Sequence, residues 1–174
     1  INNKGIMNEK RLVVDCTTDD AGRPGEEVPE IATGKYYALL IGINEYQSEE
    51  ITDLDNPIKD AENLCNVLLT KYSFEKDHIT FLRNPTRGEI IIAFNKFQNT
   101  LTGSDNLLIF YAGHGKWDEK GKVGYWLPSD ASKSNSVNWY SNSSLRDDIG
   151  SIQTKHTILI ADACFSGAIF KQRS

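Results

Sequence analysis

Two side chains in this sequence have the types and settings that nucleophilic chemistry needs. His114 closes the run Leu107-Leu108-Ile109-Phe110-Tyr111-Ala112-Gly113-His114-Gly115. Cys164 closes the run Ile158-Leu159-Ile160-Ala161-Asp162-Ala163-Cys164-Phe165-Ser166-Gly167. Each is an apolar segment that ends in small residues with one reactive group at its tip. A free thiol has an ordinary pKa near ~8.5 and is mostly protonated at neutral pH. An imidazole beside it can take that proton and leave a thiolate, the attacking group of Cys–His catalysis. Two buried strands ending at the same edge of a sheet would bring the pair together. The reading is a thiolate nucleophile for acyl transfer, with peptide hydrolysis as the expected reaction.

The neighbouring residues fit that role. Gly113 and Gly115 are expected to let the backbone turn sharply around His114. The amide N–H groups of Gly115 and Cys164 are candidate oxyanion-hole donors, and loss of one such donor typically costs ~10²–10³ in rate. Taken alone, a cysteine at the end of an apolar strand is more often a core residue than a nucleophile, and a histidine in a glycine-rich turn is usually structural. Their joint occurrence at two strand ends reverses those odds. Cys65 lies on an apolar helix face and reads as core. Cys16 has no evident partner. His78 and His156 each open a strand and read as structural.

The elements that must hold the pair follow from hydrophobic periodicity. Tyr36 to Ile43 is a continuous apolar run through Gly42 and predicts a buried strand. Pro57 opens a helix whose apolar face carries Ala61, Leu64, Cys65, Leu68 and Tyr72. His78 to Leu82 is a second short strand. Thr86-Arg87-Gly88-Glu89 has the form of a capping box and leads a helix with Ile90, Ile91, Phe94, Phe97 and Leu101 on one face. Leu107 to Tyr111 is the third strand. Gly121 and Gly124 suggest a small hairpin carrying Tyr125-Trp126-Leu127-Pro128. Ser144-Leu145-Arg146-Asp147 reads as a cap that starts a short helix through Ile152, and Thr157 to Ala161 is the fourth strand. Alternating strands and helices imply an α/β fold with parallel strands and right-handed crossovers. In such sheets reactive groups lie beyond the carboxyl ends of the strands, where His114 and Cys164 both fall.

Composition bounds the rest. The 174 residues, 39% hydrophobic and 25% charged, suit one globular domain with a sizeable core. A formal net charge of -5 argues against nucleic-acid binding through phosphate contacts. No apolar run approaches the ~18 residues of a membrane helix. The three cysteines are odd in number and lack metal-ligand spacing, which fits reduced thiols and a cytoplasmic setting. Residues 1–34 are polar, with only Leu12-Val13-Val14 as a candidate strand, and read as an N-terminal arm or linker. Residues 35–174 read as the catalytic domain. The first residue is Ile1, not Met, which leaves room for an upstream piece. A four-stranded open sheet would keep a bare edge and half a substrate cleft, so a further segment is expected after Cys164.

These motifs resemble the two catalytic blocks of the caspase–metacaspase superfamily. Tyr111-Ala112-Gly113-His114-Gly115 is similar to its histidine block, and Asp162-Ala163-Cys164-Phe165-Ser166-Gly167 to its cysteine block. His114 precedes Cys164 by 50 residues, matching the caspase spacing of ~50. Tyr37 to Asn44 resembles the family's first strand, and Asp60-Ala61-Glu62-Asn63-Leu64 the start of its first helix. The resemblance runs from about Lys35 to Gly167, the large catalytic subunit. With Asp before the cysteine and Ser-Gly after it, the block is closer to the bacterial members, the orthocaspases, than to animal caspases.

The resemblance implies a caspase-like three-layer fold with a mostly parallel sheet flanked by helices. It also implies a C-terminal small subunit from the same precursor, released by self-processing, that adds two strands and part of the cleft. Lys171 and Arg173 lie where the linker would begin, although Ser174 still follows them. Metacaspases place acids at the positions of Asp162 and Asp60, where they hold a basic residue before the scissile bond. Asp162 stands two residues before Cys164, so on a strand the two side chains share a face. A unit charge about 4 Å away in a partly buried site is worth roughly 4 kcal/mol before desolvation. Cleavage after Arg or Lys is therefore expected. Glu49, Glu50 and Asp53 read as a solvated acidic loop. Ala112 stands where metacaspases often have Ser.

Many eukaryotic members need calcium, held by clustered acids beyond the histidine. Here Lys116, Lys120 and Lys122 offset Asp118 and Glu119, so no cofactor and no obligatory calcium site are expected; calcium would want about six to eight oxygens. The expected partners are a protein or peptide substrate, the small subunit and a regulatory or sensor module, with no nucleic acid and no membrane. The alternatives are a catalytically inactive caspase-like scaffold and a separase-like relative of the same clan. A flavodoxin-like binder is disfavoured, because Gly42-Ile43-Asn44-Glu45-Tyr46 is too acidic and too poor in glycine for a phosphate loop.

Overall fold

The computed structural model describes residues 34–163. The N-terminal arm up to residue 33, with Cys16, and the tip from Cys164 to Ser174 lie outside the described residues. Four parallel strands make the main sheet: β1 (Tyr36–Gly42), β2 (Ile79–Arg83), β3 (Asn106–Ala112) and β7 (His156–Asp162), in the order β2-β1-β3-β7. A second, antiparallel sheet follows β3 and holds β4 (Gly115–Asp118), β5 (Val123–Trp126) and β6 (Tyr140–Ser141). The described residues also form three α-helices, α1 (Pro57–Lys71), α2 (Arg87–Thr100) and α3 (Asn142–Ser151), and a short 3-10 turn, Lys76–His78. The expected α/β class and the mostly parallel central sheet are both present.

The sheet is buried on two faces because its strands alternate between two cores. Ala38 and Leu40 of β1 and Phe110 and Ala112 of β3 face α1, packing with Ala61 and Leu68. Leu39 and Ile41 of β1 and Leu107, Ile109 and Tyr111 of β3 point the other way. There they meet Ile90, Phe94 and Phe97 of α2, Leu145 of α3 and Trp126 of β5. This period of two on a parallel strand explains why the sequence shows unbroken apolar runs. It gives the three layers, α1 on one side and α2 with α3 on the other.

The helix starts follow local chemistry. Pro57 lacks the N–H that a first helical turn leaves unpaired, and it sits in the first turn of α1. Thr86 and Glu89 form the expected capping box of α2, each side chain taking the other's backbone N–H. Two expectations are corrected. The third helix begins at Asn142, with the Ser141 hydroxyl accepting from Ser144 N–H at 3.0 Å; Ser144 is thus inside the helix and does not cap it. Tyr72 is 64% exposed, because α1 ends at Lys71 and the chain turns extended at Tyr72. Cys65 packs, partly buried, against the α1-side core as expected.

β7 is the sheet's outer strand among the described residues. Its Leu159 and Ala161, with Ala163 just past its end, pack on the α2–α3 side. Ile158 and Ile160 face the α1 side, where no described element covers them, and they stand 58% and 43% exposed.

Candidate active site

The loops at the carboxyl ends of β1, β3 and β7 meet at one edge of the sheet. Parallel pairing fixes their heights. Gly42 pairs with Ala112, and Ala112 pairs with Asp162. One rung further on, Ile43 N–H donates to the Ala112 carbonyl at 3.0 Å, and Gly113 N–H reaches the Asp162 carbonyl at 3.3 Å. His114 stands two residues beyond Ala112, and Cys164 two residues beyond Asp162 in the sequence. Cys164 itself falls outside the described residues, as does its amide, so their geometry is not described.

His114 is held from four directions. Its N–H donates to the Tyr46 hydroxyl at 2.8 Å. Its carbonyl accepts from the Tyr111 hydroxyl at 2.7 Å and from Leu127 N–H at 3.0 Å. The Tyr46 ring flanks the imidazole, with centroids 5.1 Å apart. Nε2 lies 2.8 Å from the main-chain carbonyl of Thr52. A carbonyl can only accept, so Nε2 is the donor and carries the proton. The neutral ring then keeps its lone pair on Nδ1, the nitrogen free to act as a base.

Gly113 serves this arrangement by its size. An added Cβ would stand 2.9 Å from the Tyr111 hydroxyl and 3.2 Å from that of Tyr46, and the residue has no left-handed φ. The chain does bend at Gly113, without a left-handed φ, and the site also requires there space for two hydroxyls. Gly115 opens β4 opposite Trp126. The Leu127-to-His114 bond makes the preceding rung a hydrogen-bonded pair. By the alternation of antiparallel ladders, Gly115 is then a non-bonded pair, with its N–H turned away from β5.

The loop between β1 and α1 carries Tyr46 and Thr52, and its shape is set by asparagines. The Asn84 side chain accepts from the N–H groups of Asn44 and Glu45 at 2.8 and 3.2 Å. The Asn44 side chain accepts from Ile58 N–H at 2.9 Å, and Leu54 N–H closes the loop onto the Asn44 carbonyl at 2.8 Å. Asp53 does more than face solvent: its carboxylate accepts from Tyr46 N–H at 2.9 Å. Glu49 and Glu50 are exposed as expected. None of Tyr46, Asn44 or Asn84 stood out in the sequence, where each is an ordinary polar or aromatic loop residue.

Asp162 is exposed at the end of β7, and Asp60 is exposed in the first turn of α1. That turn crosses the end of β1, since a Cβ on Gly42 would meet Ile58 Cα at 2.7 Å. Both carboxylates thus lie at the carboxyl end of the sheet, with His114. Behind the histidine, Trp126 is fully buried and stacks on Tyr111, with centroids 4.1 Å apart at 3°. The segment after it ties the loops together, Ser129 bonding to Gln47 and Pro85 through its backbone. In the β4–β5 turn, Glu119 pairs with Lys122 at 3.0 Å, and Asp118 accepts from Lys120 N–H. Among the described residues no group of three or more His, Cys, Asp or Glu could hold a metal ion. No described helix is long and apolar enough to cross a membrane. A cavity of about 130 Å³ lined by Tyr37, His78 and Lys96 lies at the opposite, amino end of the sheet.

The sequence model described as Caspase domain matches residues 35–174. Metacaspase III c of Phaeodactylum tricornutum is 29% identical over 163 residues, covering 82% of this chain and 46% of that protein. Metacaspase-1 of Pyricularia oryzae is 34% identical over 91 residues, covering 48% of this chain and 22% of its own length. The chain therefore spans less than half the length of these curated relatives. Among solved structures, protein GSU0716 from Geobacter sulfurreducens aligns with a TM-score of 0.62 at 20% identity, over 76% of this chain and 51% of that one. At that identity the likeness concerns the fold.

Proposed function

Since the chain belongs to the caspase domain family, a family of cysteine peptidases with metacaspases among its members, we propose that it is a cysteine endopeptidase working through His114 and Cys164. The observation that carries the reading is the anchored imidazole. Thr52 holds Nε2–H, so Nδ1 is left with the lone pair at the strand end next to β7.

In this mechanism His114 Nδ1 takes the Cys164 thiol proton, and the thiolate attacks the scissile carbonyl carbon. The oxyanion of the tetrahedral intermediate accepts from the N–H groups of Gly115 and Cys164. As the C–N bond breaks, the imidazolium returns its proton to the leaving amine. Water, deprotonated by the same nitrogen, then hydrolyses the thioester and frees the cysteine. A positioned general base of this kind is worth ~10²–10⁴ in rate.

Cleavage after Arg or Lys is the preferred specificity. Asp162 and Asp60 support it, as exposed acids at the substrate end of the sheet. The lysine-balanced turn after β4 supports activity without obligatory calcium. The uncovered face of β7 supports a further segment of the same precursor, a small subunit whose strands extend the sheet and which self-cleavage releases. The Asp162–Gly167 block supports a place nearer the orthocaspases, and three cysteines, odd in number and without metal-ligand spacing, support a reducing, cytoplasmic setting. A regulatory or sensor module is a further partner in this reading.

The test compares wild-type protein with Cys164→Ala and His114→Ala, using intact mass and fluorogenic peptides ending in Arg, Lys or Asp, with and without a calcium chelator. Turnover of the basic peptides, resistant to chelation and abolished by either substitution, is expected. Equal turnover of Arg- and Asp-ended peptides would refute the specificity. Failure of a thiol-directed peptide probe to label Cys164 would favour the inactive scaffold.

A further inference from the structure

We propose that Tyr46, with Tyr111 beside it, is a positioning residue that fixes the backbone of His114 and so aims its imidazole. The proposal rests on the Cys–His reading of the site and deepens it. Four observations support it. Both main-chain polar groups of His114 end on tyrosine hydroxyls, the N–H on Tyr46 at 2.8 Å and the carbonyl on Tyr111 at 2.7 Å. The two hydroxyls are close enough to perturb each other's ionisation, and both crowd Gly113, which has no side chain. The Tyr46 ring also limits the tilt of the imidazole.

The fourth observation is that the same loop controls the far end of the ring. Tyr46 N–H is tied to Asp53, and Thr52, the residue before Asp53, supplies the carbonyl that holds Nε2. Tyr46 thus touches the His114 backbone with its side chain, while its own backbone is tied next to the ring's anchor. A hydrogen-bonded strand end would ordinarily pair His114 N–H with Leu127, but that donor is diverted to Tyr46. With that donor on Tyr46, the imidazole reaches the Thr52 carbonyl of the same loop. Burial, the main cause, pushes the Tyr46 hydroxyl up to about 12, so it stays a neutral partner throughout the physiological range.

The experiment is Tyr46→Phe in the full chain, which removes one oxygen and keeps the ring. Its first readout is the pair of imidazole ¹⁵N shifts of His114, which report the protonated nitrogen without any need for turnover. Wild type should show a single set with the proton on Nε2; Tyr46→Phe should show a broadened or averaged set. The second readout is steady-state kinetics on the Arg peptide. There kcat should fall by about 10-fold to 10²-fold with KM little changed, as a misaimed base would produce. Tyr125→Phe, a tyrosine in β5 whose ring packs on Trp139, serves as the control and should leave both readouts alone. If Tyr46→Phe fails to fold, amide exchange on wild type decides: His114 N–H should be protected, and rapid exchange at that amide overturns the proposal. Unchanged ring shifts in a folded Tyr46→Phe overturn it equally, even if wild type proves inactive. Wild type that shows the Nε2 tautomer but cleaves nothing would instead count against the peptidase reading alone.

Discussion

Gly42 and Ile58 approach so closely that a single methyl group on Gly42 would stand 2.7 Å from Ile58 Cα and 2.9 Å from the Pro57 carbonyl. Both obstacles are backbone, so the helix start itself would have to move. Gly42→Ala should cost about 1–3 kcal/mol, the usual range for overpacking a tight core. It should also raise KM for basic peptides, because Asp60 rides on the displaced turn. Urea midpoints and steady-state kinetics check both effects.

Asn84 holds the loop after β1 from a left-handed backbone, with φ of 47°. Its side chain takes two N–H groups that would otherwise be unpaired. Asn84→Ala loses those bonds and keeps the strain, so about 1–3 kcal/mol of stability should go. Asn84→Gly relieves the strain alone and should be the milder variant. Equal urea midpoints for the two would show that backbone strain contributes little here.

Thr86→Ala breaks the capping box of α2, which should cost about 1 kcal/mol in thermal or chemical denaturation. Glu89 is held below the ordinary carboxylate range, first by Thr86 N–H and then by the Thr86 hydroxyl. Its stabilising effect is therefore present above the unfolded-state value and fades as pH falls through the depressed one. The penalty for Thr86→Ala should shrink in acid, and a penalty independent of pH would contradict this account.

Alkaline pH should weaken the fold in a defined window. Burial raises Tyr46 from 10.0 to about 12, and it also raises Tyr111 and Tyr140, the last with help from Asp148. The folded state holds these protons more tightly than the unfolded state does. Stability is thus complete below pH 10 and is lost as pH rises toward 12. In urea titrations from pH 9 upward, Tyr46→Phe should show a shallower decline than wild type. Parallel declines would mean that Tyr46 ionises freely.

What the sequence disclosed depended on whether a signal was local. The parallel strands could be read because each is buried on both faces and so forms an unbroken apolar run. The start of α2 could be read because both halves of its cap lie within four residues. The start of α3 is displaced from Ser144 to Asn142, because Ser141, which ends β6 opposite Tyr125 of β5, supplies the cap. Tyr72 continued a helical pattern one position past the point where the chain leaves the helix. His114 announced itself through its setting, whereas its supports did not. Asn84 acts on Asn44 across 40 residues and Tyr46 on His114 across 68, distances over which no spacing rule operates. Asp53 reads as one more solvated acid because it is exposed, and its partly buried hydrogen bond goes to a backbone group.

The order of the main sheet also governs how the molecule assembles. Every neighbouring pair in it is parallel, and the partners Ala38 and Ile79, Tyr36 and Asn106, and Asn106 and His156 are 41, 70 and 50 residues apart. No hairpin can seed this sheet, and each rung must first close a long stretch of chain. Chains dominated by such distant pairings fold on the slow side, in milliseconds to seconds. The histidine's surroundings, Tyr46 and Thr52 after β1, Tyr111 of β3 and Leu127 after β5, therefore come into being only once β1 has closed on β3 and the second sheet has formed. A partly folded molecule would carry the reactive groups without the means to use them.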